Sequence, residues 1–347
     1  MTTRVKAVLV SAMLAVLPMT LSGAQAARPP QIEISNGELK VLIYLPDATT
    51  GYFRGTRFDW AGQIGRLEYR THVFYAPWFT GTDPALRDYT TTASEVIAGP
   101  NTAITGPVEE FQRNLGYDEA APGGTFMKIG VGVLRKPAEG GPYSNYRLYE
   151  IVDIGRRTVE TGPDAATFTQ DVRDPSSGYG YTYVKTVRLS TGRPEMRLEH
   201  RLRNTGTRRI ENSVYNHNFL TLDGLPVDER FVITAPYDIT STRPPNSALA
   251  AIRGRQVVYI RALTSNEVVS TPLAGFGPVA ADYDFRIEHT TARAGVRMTA
   301  DRPMVNAALW SMRTTIAVEP FIAIALEPGQ EFTWTLTYTY YLIESGK

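Results

Sequence analysis

"EFTWTLTYTYYL", residues 331 to 342, alternates almost without fault: Phe332, Trp334, Leu336, Tyr338, Tyr340 and Leu342 share one parity, and threonines dominate the other. Successive side chains of an extended chain point to opposite faces, so this spacing makes a half-buried strand. Working outward, "MRLEHRLRN" (196–204) sets Met196, Leu198, His200 and Leu202 against Arg197, Glu199, Arg201 and Arg203 in the same way. "GTFMKIGVGVLRK" (124–136), "YGYTYVKTVRL" (179–189) and "VRMTA" (296–300) continue the theme, punctuated by Gly, Pro, Asn and Asp turns. Near the start, "IEISNGELKVLIYL" (32–45) places Asn36-Gly37 between two alternating runs, a pair that accepts the positive φ angles of a tight hairpin. Helical candidates are few, "NSALAAIRG" (246–254) being the clearest. Loop-rich stretches at 80–105, 136–145 and 235–255 read as excursions from a sheet, because strand patterns resume on both sides. With no internal repeat and no break in composition, residues 27–347 are expected to form a single all-β domain. Its architecture is expected to be large, antiparallel and two-layered, with sheets packed face to face.

Residues 1–26 read as an export signal. Arg4 and Lys6 precede an apolar run, and Ala24-Gln25-Ala26 forms a small-residue cleavage pattern before Ala27. The run is interrupted by Pro18 and falls short of the roughly 20 apolar residues of a membrane helix. The mature chain is therefore expected to be soluble, and periplasmic or secreted. Past residue 26 the chain carries 34 basic and 35 acidic residues. Such balance argues against a nucleic-acid partner, which needs clustered excess Lys and Arg. Cysteine is absent, which excludes disulfides and, with four scattered histidines, a zinc pattern. Asp282 and Asp284 share a face but lack the further oxygens of a calcium site. Glycine pairs at 123–124 and 140–141 do not open a long helix, so no phosphate cradle is expected, and no cofactor.

Two segments resemble the aldose 1-epimerases, or galactose mutarotases. One is "MRLEHRLRNTGTRRIENSVYNHNFLTLDG" (196–224), with an Asn-His pair followed by an aromatic residue, a Leu and a Gly. The other is "VEPFIAIALEPGQEFTWTLTYTYY" (318–341), with a Glu-Pro and a later Pro-Gly, in the order that family uses. The resemblance implies a galactose mutarotase-like β-supersandwich that binds a mono- or oligosaccharide. It also implies a histidine acid and a glutamate base on opposite sides of one sugar hemiacetal, roles that fall to His217 and Glu319. Several features depart from that family. Its earlier sugar-contacting histidine sits in a His-Gly context, whereas His72 here lacks the glycine; Phe321 stands where a Gln follows Glu-Pro; and Glu319 lies closer to the Pro-Gly turn.

Other residues are candidates for the sugar site. Arg57 and Trp60 lie in "FRGTRFDW", and His72 and Trp78 in "YRTHVFYAPWF", where flat aromatics suit sugar C–H edges. Tyr215 and Asn216 flank His217, and Arg313 shares the parity of Glu319 and is a candidate partner for it. Against each stands a plainer reading: arginines beside a Gly turn are usually solvated, and a histidine on an aromatic face is often simply packed. His200 lies on an apolar parity and reads as structural; His289 reads as a turn or surface residue. Glu109 and Glu110 are adjacent and so face opposite ways on a strand, which prevents them from forming one acid–base pair. The leading expectation is an exported aldose 1-epimerase-like enzyme. The alternatives are a polysaccharide lyase or glycoside-cleaving enzyme on the same scaffold, in which Arg57, Asn216 or Asn218 would neutralise a uronate, and a non-catalytic glycan-binding module.

Overall fold

A computed structural model describes residues 28–344; the export signal expected over 1–26 lies outside the described residues. Two antiparallel sheets carry the architecture. The larger has ten strands, centred on Ala165–Asp174, Tyr179–Leu189, Glu195–Asn204, Glu331–Leu342 and Ala294–Ala300 in spatial order. The smaller has five, in the order Val268–Pro272, Asn306–Met312, Thr315–Leu326, Ile210–Phe219 and Gly106–Phe111. The alternating strand Glu331–Leu342 sits inside the larger sheet and pairs on both edges. Its Trp334, Leu336, Tyr338 and Tyr340 are buried, as the alternation requires.

Inward side chains of both sheets form the main core, and a charged knot sits at its centre. Glu109 on the smaller sheet accepts hydrogen bonds from Lys185 Nζ, from His200 Nε2 at 2.8 Å and from Asn216 Nδ2 at 2.9 Å. Lys185 and His200 belong to the larger sheet, so the knot joins the two layers. The His200 ring stacks on Trp334 with centroids 4.5 Å apart, which fixes its plane. Burial pushes the Glu109 carboxyl up, but Lys185 and His200 outweigh it and hold the group at about 2. A second link runs from Tyr338, whose hydroxyl donates to Asn218 Oδ1 at 2.8 Å.

Smaller sheets complete the fold. Gln31–Ser35 and Leu39–Tyr44 form the hairpin expected at Asn36-Gly37, with Gly37 at φ +86°. Within the loop-rich region 80–105, three short strands, Gly81–Thr82, Tyr89–Thr91 and Val96–Ala98, make a miniature sheet. Two expectations fail. "NSALAAIRG" is not helical: Ala250–Arg253 is a strand that turns at Gly254, φ +57°, to pair with Gln256–Tyr259, and strand pairing outweighs the local preference of its alanines. His289 is not a surface residue. It closes Asp284–His289 on the buried parity of Phe285 and Ile287, and its ring meets Phe231 edge-on at 4.7 Å.

Removing Glu109 would strand Lys185 and His200 in the interior. Glu109→Ala is expected to lower the unfolding free energy by about 3–5 kcal/mol in urea titrations followed by circular dichroism. Because the folded-state pKa of Glu109 lies below its ordinary 4.5, its contribution is complete above that pH and is lost as pH falls toward about 2. The acid limb of wild-type stability should therefore flatten in the variant.

Candidate functional site

The Ile210–Phe219 strand divides its side chains between two environments. Asn216 and Asn218 point into the core, toward Glu109 and Tyr338. Tyr215, His217 and Phe219 take the opposite parity and point to the outer face of the five-stranded sheet. On the neighbouring strand Tyr215 lies across from Phe321 and Leu220 across from Ile316, a single register that sets His217 opposite Glu319. Pro320 has no N–H to give, and regular pairing lapses between those two points, beside the pair. On its other side Glu319 faces Ala308, whose small side chain leaves room for a cavity.

His217 Nδ1 lies 2.8 Å from Glu319 Oε1. Both atoms are buried, and their angles miss those of a true hydrogen bond, so the two side chains meet in close contact without one. Both residues nevertheless line the cavity. The two residues retain only 7% and 8% exposure. The imidazole is clamped by aromatic rings: Phe219 stacks on it at 3.9 Å and Trp310 meets it edge-on at 5.4 Å. Trp78 stacks on the far side of Phe219 at 5.4 Å, its indole N–H held by the Ile104 carbonyl. Together with Arg57, Asp88, Tyr89, Thr102 and Tyr146, these residues enclose about 390 Å³. That volume suits a small, ring-shaped ligand.

Behind one wall sits a second charged cluster. Arg57 Nε donates to Glu110 Oε2 at 2.8 Å, and the Tyr215 hydroxyl donates to the same oxygen at 2.6 Å. Arg57 Nη2 also reaches the Tyr215 hydroxyl at 3.3 Å. Burial opposes both charges, but their attraction wins, raising Arg57 and lowering Glu110. Burial and the adjacent Glu110 carboxylate push the Tyr215 phenol well up, so it stays a neutral donor. Glu109 and Glu110 thus serve opposite faces of one strand, as their adjacency predicts.

No protein-family model matches this sequence, and neither does any curated protein. Solved structures do resemble it. A protein from Synechocystis superposes with a TM-score of 0.53 at 11% identity, covering 95% of this chain and 100% of its own. A candidate aldose 1-epimerase from Escherichia coli K12 gives 0.53 at 13% identity, covering 90% of this chain and 99% of its own. A galactose mutarotase-like protein from Clostridium acetobutylicum gives 0.50 at 11% identity, covering 90% and 95%. The chain has the galactose mutarotase-like fold.

Within that galactose mutarotase-like fold, the candidates from sequence divide sharply. His217, Glu319, Arg57 and Trp78 share the cavity wall. Tyr215 does not line it; it stands behind Arg57 and fixes Glu110. Asn216 points to the opposite side of the sheet, because one step along a strand reverses the face. Trp60 is a packing residue: its ring is buried, its N–H donates to the Gly55 carbonyl at 2.8 Å, and Arg157 lies 5.0 Å over it. His72 pairs with Asp223 at 2.7 Å away from the cavity. Arg313 does not meet Glu319; its guanidinium caps the carbonyls of Thr92 and Ala93, because the turn after Met312 carries it past the strand end. Acid and base are also not separated by space for a hemiacetal, since the two side chains touch.

Asp88, Tyr89, Tyr146, Ala308 and Trp310 also line the cavity, and the sequence carries no local signal for them. Trp310 shares the parity of Ala308 on Asn306–Met312, yet only the pairing of that strand with Glu319 makes the parity meaningful. Asp88, Tyr89 and Tyr146 lie in loop-rich sequence with no periodic signal. The Tyr215 assignment can be tested. Tyr215→Phe removes a donor to a buried carboxylate and should cost about 1.5–3 kcal/mol of unfolding free energy in urea titration. A loss under about 0.5 kcal/mol, the size of an ordinary surface change, would contradict it.

Proposed function

We propose that the protein is an exported carbohydrate-active enzyme that interconverts sugar anomers in the His217–Glu319 cavity. The observation that carries this reading is the direct pairing of an imidazole and a carboxylate, 2.8 Å apart, within an aromatic-walled hollow of the galactose mutarotase-like fold. A hemiacetal carbon bears two oxygens, the ring oxygen and the anomeric hydroxyl. Opening the ring requires a proton to reach the first and to leave the second. The two oxygens are neighbours on one carbon, so a donor and an acceptor standing side by side serve them better than groups on opposite sides of the ring.

In the proposed cycle Glu319 takes the anomeric proton while His217, protonated, delivers one to the ring oxygen. The C–O bond breaks to give an aldehyde, which rotates about its single bond. Reversal of both transfers closes the ring in the other anomeric configuration and resets the pair. The stacking of His217 on Phe219 holds the ring plane during the transfers. Trp310 and Tyr89 offer flat faces for the sugar. Export rests on the pattern at residues 1–26 alone. A uronate-cleaving reading has less support, because the arginine it needs as a free cation is already matched by Glu110.

Polarimetry on a freshly dissolved single anomer tests the proposal, run with neutral and amino hexoses. Wild-type protein should hasten equilibration. Glu319→Gln and His217→Asn should each lose about 10²- to 10⁴-fold of that acceleration while still binding the sugar by NMR titration. Equilibration by wild type at the buffer rate across the panel would overturn it.

A further inference from the structure

Asp88 stands in the cavity wall with only the longer-range pull of Arg57 and His217 on its carboxylate. Its carboxylate has no hydrogen-bond or ion-pair partner among the described residues. By contrast, its main chain is held firmly: the Asp88 carbonyl accepts from Gly99 N and from Thr102 Oγ1, the latter at 2.7 Å. Thr102 lines the same cavity, so the loop is anchored at the wall while the acid is left free to meet a ligand. Burial lifts the Asp88 carboxyl above its ordinary value, against the pull of Arg57 and His217. A cation arriving in the cavity would relieve that cost.

The electrostatic balance of the cavity points the same way. The guanidinium of Arg57 is paired from behind with buried Glu110, a carboxylate that Lys128 also attracts. On the cavity wall His217 lies against Glu319, while the Asp88 carboxylate has no contact partner among the described residues. An ammonium group set against Asp88 would supply the contact that a neutral sugar or a sugar acid cannot. The partly exposed rings of Tyr89, Tyr146 and Trp310 add electron-rich faces, which attract an ammonium group as well as sugar C–H edges.

We propose that Asp88 determines specificity and that the preferred ligand class is an amino sugar, whose ammonium group pairs with the Asp88 carboxylate. The inference rests on the reading of the cavity as a sugar site, and deepens it by naming the substrate class. Calorimetric and NMR titrations with D-galactosamine, D-galactose, N-acetyl-D-galactosamine and D-galacturonate test it, alongside anomer exchange rates for the same sugars. The amino sugar should bind about tenfold more tightly than the neutral pair, with the uronate weakest. Asp88→Asn should bring the amino-to-neutral ratio close to one, and Asp88→Glu should restore part of it.

Equal binding of D-galactosamine and D-galactose by wild type would overturn the inference, as would a preference that survives in Asp88→Asn, or an absence of binding throughout. Exchange acceleration without amino preference would defeat this inference and leave the anomerase reading intact. Amino preference in binding without any exchange acceleration would defeat only the anomerase reading, and would support the role of Asp88.

Discussion

The contact on which the rest of the structure depends is the buried pairing of Glu109 with Lys185, closed by His200 and Asn216. A carboxylate so far from water is tolerable only when several donors surround it. Those donors come from both sheets, so the layers are held at one offset. By taking Asn216 as a donor, the knot also decides which parity of Ile210–Phe219 faces inward. His217 is then obliged to face outward. Shifting that strand by one residue would bury the imidazole beside Glu109 and turn an asparagine toward Glu319.

Charge is treated differently on the two sides of the smaller sheet. Inside, Glu109 and its partners satisfy one another and are closed to solvent. Outside, Arg57 and Tyr215 both bind one oxygen of Glu110, whose other oxygen is buried without a hydrogen-bond partner, and this cluster stops at the cavity wall. Beyond it stand His217 with Glu319 and, alone, Asp88. Of the charged groups at the cavity, Asp88 has the fewest protein contacts, as suits a site whose last partner is a ligand. The aromatic rings around it keep the local medium apolar, which strengthens whatever electrostatic contact that ligand makes.

Much of this was legible in the chain. The alternation of Trp334, Leu336, Tyr338 and Tyr340 named a strand and its buried face without reference to anything else. The adjacency of Glu109 and Glu110 fixed their separation onto two faces, and the parity of His200 with Leu198 and Leu202 placed it in the core. The pairing of His217 with Glu319 was legible only through a family resemblance, since they stand 102 positions apart and no local pattern links such distant strands. Asn216 was misread as a ligand contact because proximity in sequence was allowed to override the period of two. Arg313 was misread because parity was carried past the end of its strand, where a turn resets it. Asp88 and Tyr146 gave no signal, for loop residues converge through tertiary contacts rather than periodicity.

Ala308 lies across from Glu319 on the adjoining strand, and its methyl group occupies a position where a leucine or phenylalanine would reach over the carboxylate. The strand geometry on either side does not depend on that choice. The breadth of the hollow is thus governed by one side chain that the scaffold does not need, a dial by which descendants of this protein, natural or engineered, can be fitted to narrower guests without rebuilding the sandwich.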